Sequence, residues 1–272
     1  MKTTPVNLIG ISGKIGSGKD TVGKIIQLLT HKHYYSNGLV LHFLKNTPAT
    51  IDLSHWAIKK FAGKLKEVAS ALTGIPMYRF EDQEFKKTNL GPGWNQLVWN
   101  DPDPIEGNDY RITSSIQYED DTSLITYNNG YSEAEVFDHE IEITPMTVRE
   151  LLQKLGTEAM RNGLHPDTWV NALMSEFIPY SARGSEYEEV TSRWIITDTR
   201  FLNEARAIKK RGGVVIRINR NIDNGTHPSE TALDDYSFDY IIDNNGTIED
   251  LISSVRHMCR VLNIIDPQTN PA

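Results

Sequence analysis

Cysteine is almost missing from this chain: Cys259 is the only one in 272 residues. That excludes an internal disulfide and any zinc site built on cysteine pairs. Among Ser253, Val255, Met258 and Leu262, it reads as a small buried residue of a helix. Positive charge is also short, with 28 Lys and Arg against 36 Asp and Glu and a formal net charge of −8. An extended surface for duplex nucleic acid needs clustered cations to neutralise phosphates, so none is expected, while local basic pockets stay open. No apolar run approaches the roughly 18 residues of a spanning helix. The opening Met1-Lys2-Thr3-Thr4-Pro5 lacks the apolar stretch of a secretory signal. The expectation is an intracellular, cytoplasmic protein without a membrane partner.

The chain that remains is 39% apolar and 9% aromatic, which is globular. Its most informative stretch is Gly13-Lys14-Ile15-Gly16-Ser17-Gly18-Lys19-Asp20-Thr21. Apolar Val6 to Ile11 precede it, and Val22, Ile25, Ile26 and Leu29 follow at helical spacing, giving strand, glycine loop, helix. Glycine has no Cβ to block an approaching phosphate, so successive backbone N–H groups can point at its oxygens, and the helix N-terminus adds partial positive charge. Lys19 supplies a full charge to the outer phosphates. The G-x(4)-G-K skeleton alone is weak, arising by chance in roughly one chain in ten of this length; the flanking strand and helix are what the mechanism demands. The position after the lysine, usually a Ser or Thr that ligates Mg²⁺, is Asp20. Either Asp20 approaches the ion, directly or through water, or Thr21 contributes.

Further along, Leu39-Val40-Leu41 reads as a short strand and Trp56 to Phe61 as another. A helix with the stripe Leu65, Val68, Ala69 and Leu72 follows, ending at Gly74 before Pro76. Tyr78 to Thr88 is a charged, helical stretch containing Asp82. Between 91 and 144, turn signals separate short alternating runs, the pattern of a small antiparallel insertion. Thr147 and Glu150 fit a capping box ahead of Val148, Leu151, Leu152 and Leu155. Asp167 to Ile178 is a helix with Trp169, Leu173 and Phe177 on one side. Strands at Trp194 to Thr197, Val214 to Ile218 and Phe238 to Ile242 alternate with helices at Asn203 to Arg211 and Thr247 to Leu262. Such alternation implies an α/β fold, a mostly parallel sheet with helices on both faces.

In such a sheet, ligands collect at the carboxyl ends of the strands. Asp198, just past one strand, suits a magnesium-coordinating or water-holding carboxylate, and Arg200 suits a phosphate clamp. The alternative is that both pair with neighbours and cap the next helix. Arg217 and Arg220 lead into a polar segment, 219–236, that contains His227. This reads either as a lid that closes over a transferring phosphate and excludes water, or as a surface loop. Arg149 and Gln153 lie one turn apart on the capped helix, with Arg161 beyond. Their guanidinium groups suit an anion, while pairing of Arg149 with an acid is the alternative. Lys64 and Lys66 flank the earlier stripe and are ambiguous.

Taken together, Gly13 to Thr21, Phe61 to Glu67, Phe80 to Glu84, Thr147 to Glu158 and Trp194 to Ala205 resemble the bacteriophage-type deoxynucleoside monophosphate kinases. The similarity runs along most of the chain outside 91–144. It implies a single P-loop kinase domain over 1–272, of the nucleoside monophosphate kinase kind, carrying the β-rich insertion. ATP would be the donor, Mg²⁺ the cofactor and a deoxynucleoside monophosphate the acceptor. On this reading the phosphates belong to Gly13, Lys14, Gly16, Ser17, Gly18, Lys19, Asp20 and Thr21. Lys19, Asp198 and Arg200 serve catalysis, and Asp20, Thr21 and Asp198 serve the metal. Lys66, Asp82, Arg149, Gln153, Arg161, Arg217 and Arg220 serve the acceptor side. Small nucleotides are the implied partners, a homodimer is left open, and a viral protein would work in the host cytoplasm.

Two other readings stand beside it. A phosphomevalonate kinase is similar in Gly-Lys-Asp after the loop, in Asp198-Thr199-Arg200 and in the acidic segment before Phe238-Asp239-Tyr240. A nucleotide-dependent switch would use Asp243-Asn244-Asn245-Gly246 as a D-x-x-G motif. That match follows the last strand without any Asn-Lys-x-Asp guanine motif, and reads as a turn.

Overall fold

The computed structural model describes residues 6–31, 35–46, 56–99, 115–119, 122–126, 141–179, 192–221 and 231–265. Its first elements are β1 (Leu8–Ser12), α1 (Lys19–Leu29), α2 (Asn37–Asn46), β2 (Ala57–Lys59) and α3 (Phe61–Thr73). Next come β3 (Gln96–Trp99), β4 (Ser115–Glu119), β5 (Thr122–Thr126), β6 (Ile141–Thr144), α4 (Val148–Gln153) and α5 (Thr168–Met174). The chain closes with β7 (Trp194–Ile196), α6 (Leu202–Lys210), β8 (Val214–Asn219), β9 (Tyr240–Asp243) and α7 (Ile248–Val261). Two compact units divide these elements: Met1–Val68 with Glu158–Ala272, and Ala69–Thr157.

The first unit is built on a five-stranded sheet in the order β2-β7-β1-β8-β9, with every neighbouring pair parallel. Successive strand residues point to opposite faces, so each strand feeds two cores. Ile9, Ile11, Ile195, Ile216 and Ile218 pack on one face with α1, α2 and α7, and Cys259 is buried there. Leu8, Trp194, Ile196 and Val215 pack on the other with Phe61, α5 and α6. Strands covered on both faces read as continuous apolar runs, which is why they stood out in the sequence.

Leu39-Val40-Leu41 corrects one expectation: the three residues lie within α2, not in a strand. Val40 is buried, and Phe43 and Leu44 pack partly buried against the same core. That i, i+3, i+4 set is helical, and a three-residue apolar run has no period of its own to reveal it. On α3, Ala69 is buried but Leu72 is 55% exposed, so the apolar stripe is shorter than expected. No helix among the described residues is long and apolar enough to cross a membrane.

In the second unit, Tyr78 to Thr88 resolves into two tight 3₁₀ turns, Met77–Glu81 and Phe85–Lys87, instead of one helix. Phe80 anchors the first turn, fully buried. Two antiparallel pairs, β3 with β6 and β4 with β5, fall within 91–144; the remainder of that stretch, 100–114, 120–121 and 127–140, lies outside the described residues. The Thr147 box closes in both directions: Glu150 Oε2 accepts the Thr147 N–H at 2.7 Å, and Thr147 Oγ1 accepts the Glu150 N–H at 3.2 Å. Beyond α4 the helix widens over Lys154–Asn162 into π geometry. Of the 219–236 segment, 222–230 with His227 lies outside the described residues.

Candidate active site

β1 ends in the interior of the sheet, and the chain must turn at once to enter α1. Gly18 takes a left-handed conformation, φ 99°, immediately before the helix, a region that a side chain with a Cβ disfavours by about 1–2 kcal/mol. At Gly13 the constraint is space: a Cβ there would lie 2.6 Å from both Ile218 O and Ser17 Oγ. The loop's carbonyls are held by donors around it. Lys19 Nζ donates to Gly13 O at 2.6 Å and to Lys14 O at 2.8 Å. Arg220 Nη1 donates to Gly16 O at 3.3 Å, and Asn244 Nδ2 to Ser17 O at 2.8 Å. In a planar trans peptide, a carbonyl held to one side turns the following N–H to the other, which is how a loop can become an anion cradle. Ser17 Oγ is buried and has no hydrogen-bond partner among the described residues. An unpaired buried hydroxyl costs about 1–3 kcal/mol, and a phosphate oxygen is the kind of group that relieves it. The loop therefore fits a phosphate.

Asp20, the residue standing where a hydroxyl is usual, is tied to the sheet. Thr197 Oγ1 donates to its Oδ1 at 2.6 Å, and Lys60 Nζ lies 3.2 Å from the same oxygen. Partial burial pushes its pKa up, but the Thr197 hydroxyl and the Lys60 and Lys19 charges outweigh burial and hold it below the ordinary aspartate value. Asp20 is thus a firm anion at the lip of the loop. Thr21 sits beside it, half-buried in the first turn of α1. Among the described residues, no three His, Cys, Asp or Glu side chains gather as a ready-made metal cage.

Asp198 follows β7 and caps a helix distant in sequence. Its Oδ1 accepts the Phe61 N–H at 2.8 Å and its Oδ2 the Ala62 N–H at 2.9 Å, closing the N-terminus of α3. Burial holds its carboxyl above the ordinary value, opposed by those two N–H groups. The helix that follows, α6, is capped instead by Glu204, whose Oε2 accepts the Arg200 and Phe201 N–H groups at 2.7 and 3.0 Å. Glu204 is 2% exposed; burial and the nearby Asp198 charge push its carboxyl up to about 6. Arg161 Nη2 meets its other oxygen at 2.8 Å, and the same guanidinium lies 4.2 Å over the Phe201 ring.

On β8, Arg217 stands opposite Ser12 of β1. It donates to Ser12 Oγ at 3.1 Å and to Asp234 Oδ1 at 2.7 Å, and lies 5.6 Å over Phe238. Lys66 is buried on α3. The loop, Asp20, Thr197, Asp198, Arg217, Arg220 and Asn244 accordingly share the carboxyl end of the parallel sheet. Asp82, Arg149 and Gln153 belong to the second unit. There Asp82 Oδ1 accepts the Glu84 and Phe85 N–H groups at 2.9 and 3.2 Å and closes a turn. Arg149 and Gln153 are exposed on α4.

Lys60, Thr197 and Glu204 were not singled out by the sequence as site residues, and Asn244 only as part of the D-x-x-G match read as a turn. Each stands at or just past the end of a sheet strand or in the first turn of a helix, and that position was the only local signal they offered.

Comparison with known proteins converges on one family. The family model described as deoxynucleotide monophosphate kinase matches residues 7–255. The chain is 30% identical over 118 residues to the deoxynucleotide monophosphate kinase of Enterobacteria phage T4, covering 43% of this chain and 46% of that protein. It is 28% identical over 116 residues to that of Escherichia phage RB69, covering 42% of this chain and 45% of the relative. A relative from Acanthamoeba polyphaga mimivirus is 33% identical over 119 residues, covering 40% of this chain and 59% of its own length. The chain thus spans about half the length of the relatives it matches. With the family model spanning nearly the whole chain, over a parallel sheet whose first strand runs into a glycine loop, this protein belongs to the deoxynucleotide monophosphate kinase family.

Proposed function

We propose that the chain transfers the γ-phosphoryl group of ATP to the phosphate of a deoxynucleoside monophosphate, giving ADP and the deoxynucleoside diphosphate. The observation that carries this reading is the Gly13 to Lys19 loop, its carbonyls held by Lys19, Arg220 and Asn244, in a chain of this family. The acceptor already carries a nucleophilic phosphate oxygen, so no general base is needed. Positioning and charge stabilisation do the work.

Lys19, whose ammonium donates to two loop carbonyls, is the proposed cation for the outer phosphates of the donor. Arg220 donates to a carbonyl of the loop itself, which supports placing it beside the donor phosphates instead of with the acceptor. Arg217, tied to Ser12 and Asp234, braces β8 against β1 beneath the loop. The chemistry that Mg²⁺ would supply here is neutralisation of phosphate charge. Asp20, Thr21 and Asp198 supply hard oxygen donors for it, directly or through water, which suits an ion that keeps several waters and substrate oxygens in its shell. Arg200 is the proposed clamp on the transferring group. Lys66, Asp82, Arg149, Gln153 and Arg161 are the proposed acceptor side, with Arg161 oriented by Glu204 and Phe201. No observation favours the phosphomevalonate or switch alternatives.

Purified protein with ATP, Mg²⁺ and a panel of acceptors tests the proposal. ADP should appear with deoxynucleoside monophosphates and not with phosphomevalonate. Turnover with phosphomevalonate alone, or with no acceptor in the panel, would reject it.

A further inference from the structure

Asn244 lies one residue beyond β9 and is only 9% exposed. Its backbone N–H donates to Asn219 O at 2.7 Å, carrying the β8/β9 pairing past the end of the strands. The sheet, not a free loop, therefore sets where its side chain starts. From there Nδ2 reaches Ser17 O at 2.8 Å, 227 residues away in the chain. The approach depends on Gly18, because a Cβ there would lie 2.7 Å from the same Nδ2. The neighbouring contacts reinforce the join. Asn245 Oδ1 accepts the Asn221 N–H at 2.8 Å, and Arg220 beside it donates to Gly16 O at 3.3 Å. Two consecutive carbonyls of the glycine loop are held from the ends of β8 and β9.

We propose that Asn244 is a positioning residue of the donor site: by holding Ser17 O it fixes the plane of the Ser17–Gly18 peptide and aims the Gly18 N–H into the phosphate cradle. The inference rests on the reading of the loop as the ATP site. Asparagine suits the task because its amide donates to a carbonyl without adding charge beneath the loop. An aspartate of the same shape would face Ser17 O with an acceptor and push that peptide out of register. A residue that merely tied two loops together would affect stability alone; one that aims a phosphate-binding N–H affects the donor and not the acceptor.

The test compares the intact wild-type chain with Asn244→Asp and Asn244→Ala, measuring ATP binding by calorimetry, KM for ATP and for a deoxynucleoside monophosphate, and thermal unfolding. Leaving a buried carbonyl without its donor should weaken ATP binding about 10- to 100-fold, with the acceptor KM within about twofold of wild type. Acidification toward pH 5 should restore part of the ATP affinity of Asn244→Asp relative to wild type, because a protonated carboxyl can donate to Ser17 O. Asn244→Ala should show no such recovery, and it keeps the test decisive if the aspartate variant does not fold. Folded variants that bind ATP within twofold of wild type, or that shift both KM values equally, would overturn the proposal. So would a lowered melting temperature with unchanged kinetics. Wild-type protein that binds no ATP would instead overturn the donor-site reading, and the role of Asn244 with it.

Discussion

Thr197 Oγ1 and Asp20 Oδ1 are 2.6 Å apart, joining the end of β7 to the first turn of α1 across 177 residues of sequence. This contact, with Lys60, keeps Asp20 ionised beside the loop. Thr197→Val preserves shape and removes the donor. Activity should fall by up to about tenfold, the scale of one hydrogen bond to a charged group discounted for exposure. The acid side follows from the sign of the shift. A depressed folded-state pKa stabilises the protein above the ordinary aspartate value and is lost as pH falls through the lowered one. Thr197→Val should therefore begin acid unfolding at higher pH than wild type, as read by circular dichroism; coincident acid transitions would remove Thr197 from this role.

Lys19→Ala should leave the fold intact and remove a cation from the transferring phosphate. The expected loss is on the order of 2.7 to 4 kcal/mol, about 100- to 1,000-fold in turnover. A folded variant with near-normal turnover would sink the loop assignment.

Asp198 has a structural duty that any test must separate from chemistry, since both oxygens cap α3. Asp198→Asn should lose about 0.5–2 kcal/mol of stability, the usual cost of a lost cap, and its activity should recover in part as Mg²⁺ is raised. Reduced stability with an unchanged Mg²⁺ dependence would assign Asp198 to capping alone. Arg200→Lys should stay poor, because lysine lacks the bidentate fork.

Glu204 gives the pH prediction with the opposite sign. Its folded pKa, about 6, lies above the ordinary glutamate value, so the native state holds its proton more tightly than the unfolded chain between those two values. Stability should fall as pH rises through that window and level off above it, by up to about 2 kcal/mol from this group. Urea titrations from pH 4.5 to 7 should show the fall, and Glu204→Gln should flatten it. An equal slope in the variant would place the dependence elsewhere.

Arg149 tests the acceptor side. Arg149→Ala should raise the acceptor KM or lower kcat while ATP affinity stays nearly constant, since the proposed contact is with the acceptor only. A folded variant with wild-type constants would remove Arg149 from the site.

Contiguous signals were enough for part of this protein. The glycine loop was legible because strand, turn and helix follow one another within about twenty residues, and the glycines are required by local space and φ. The Thr147 box was legible for the same reason, its partners being three residues apart. The buried strands announced a doubly covered sheet through unbroken apolar runs. Leu39 to Leu41 misled because so short a run has no period, and packing on α1 and α7 decided it. Asp198 could be placed at a strand end, yet nothing in the sequence said that it would close α3 and leave the next helix to Glu204. Asn244 looked like a turn residue for the same reason. Its partnership with Ser17 exists only because the strand order sets β9 beside β8 and β8 beside β1. A hydrogen bond needs two groups within about 3 Å, and across such separations in the chain only the packed sheet supplies that distance.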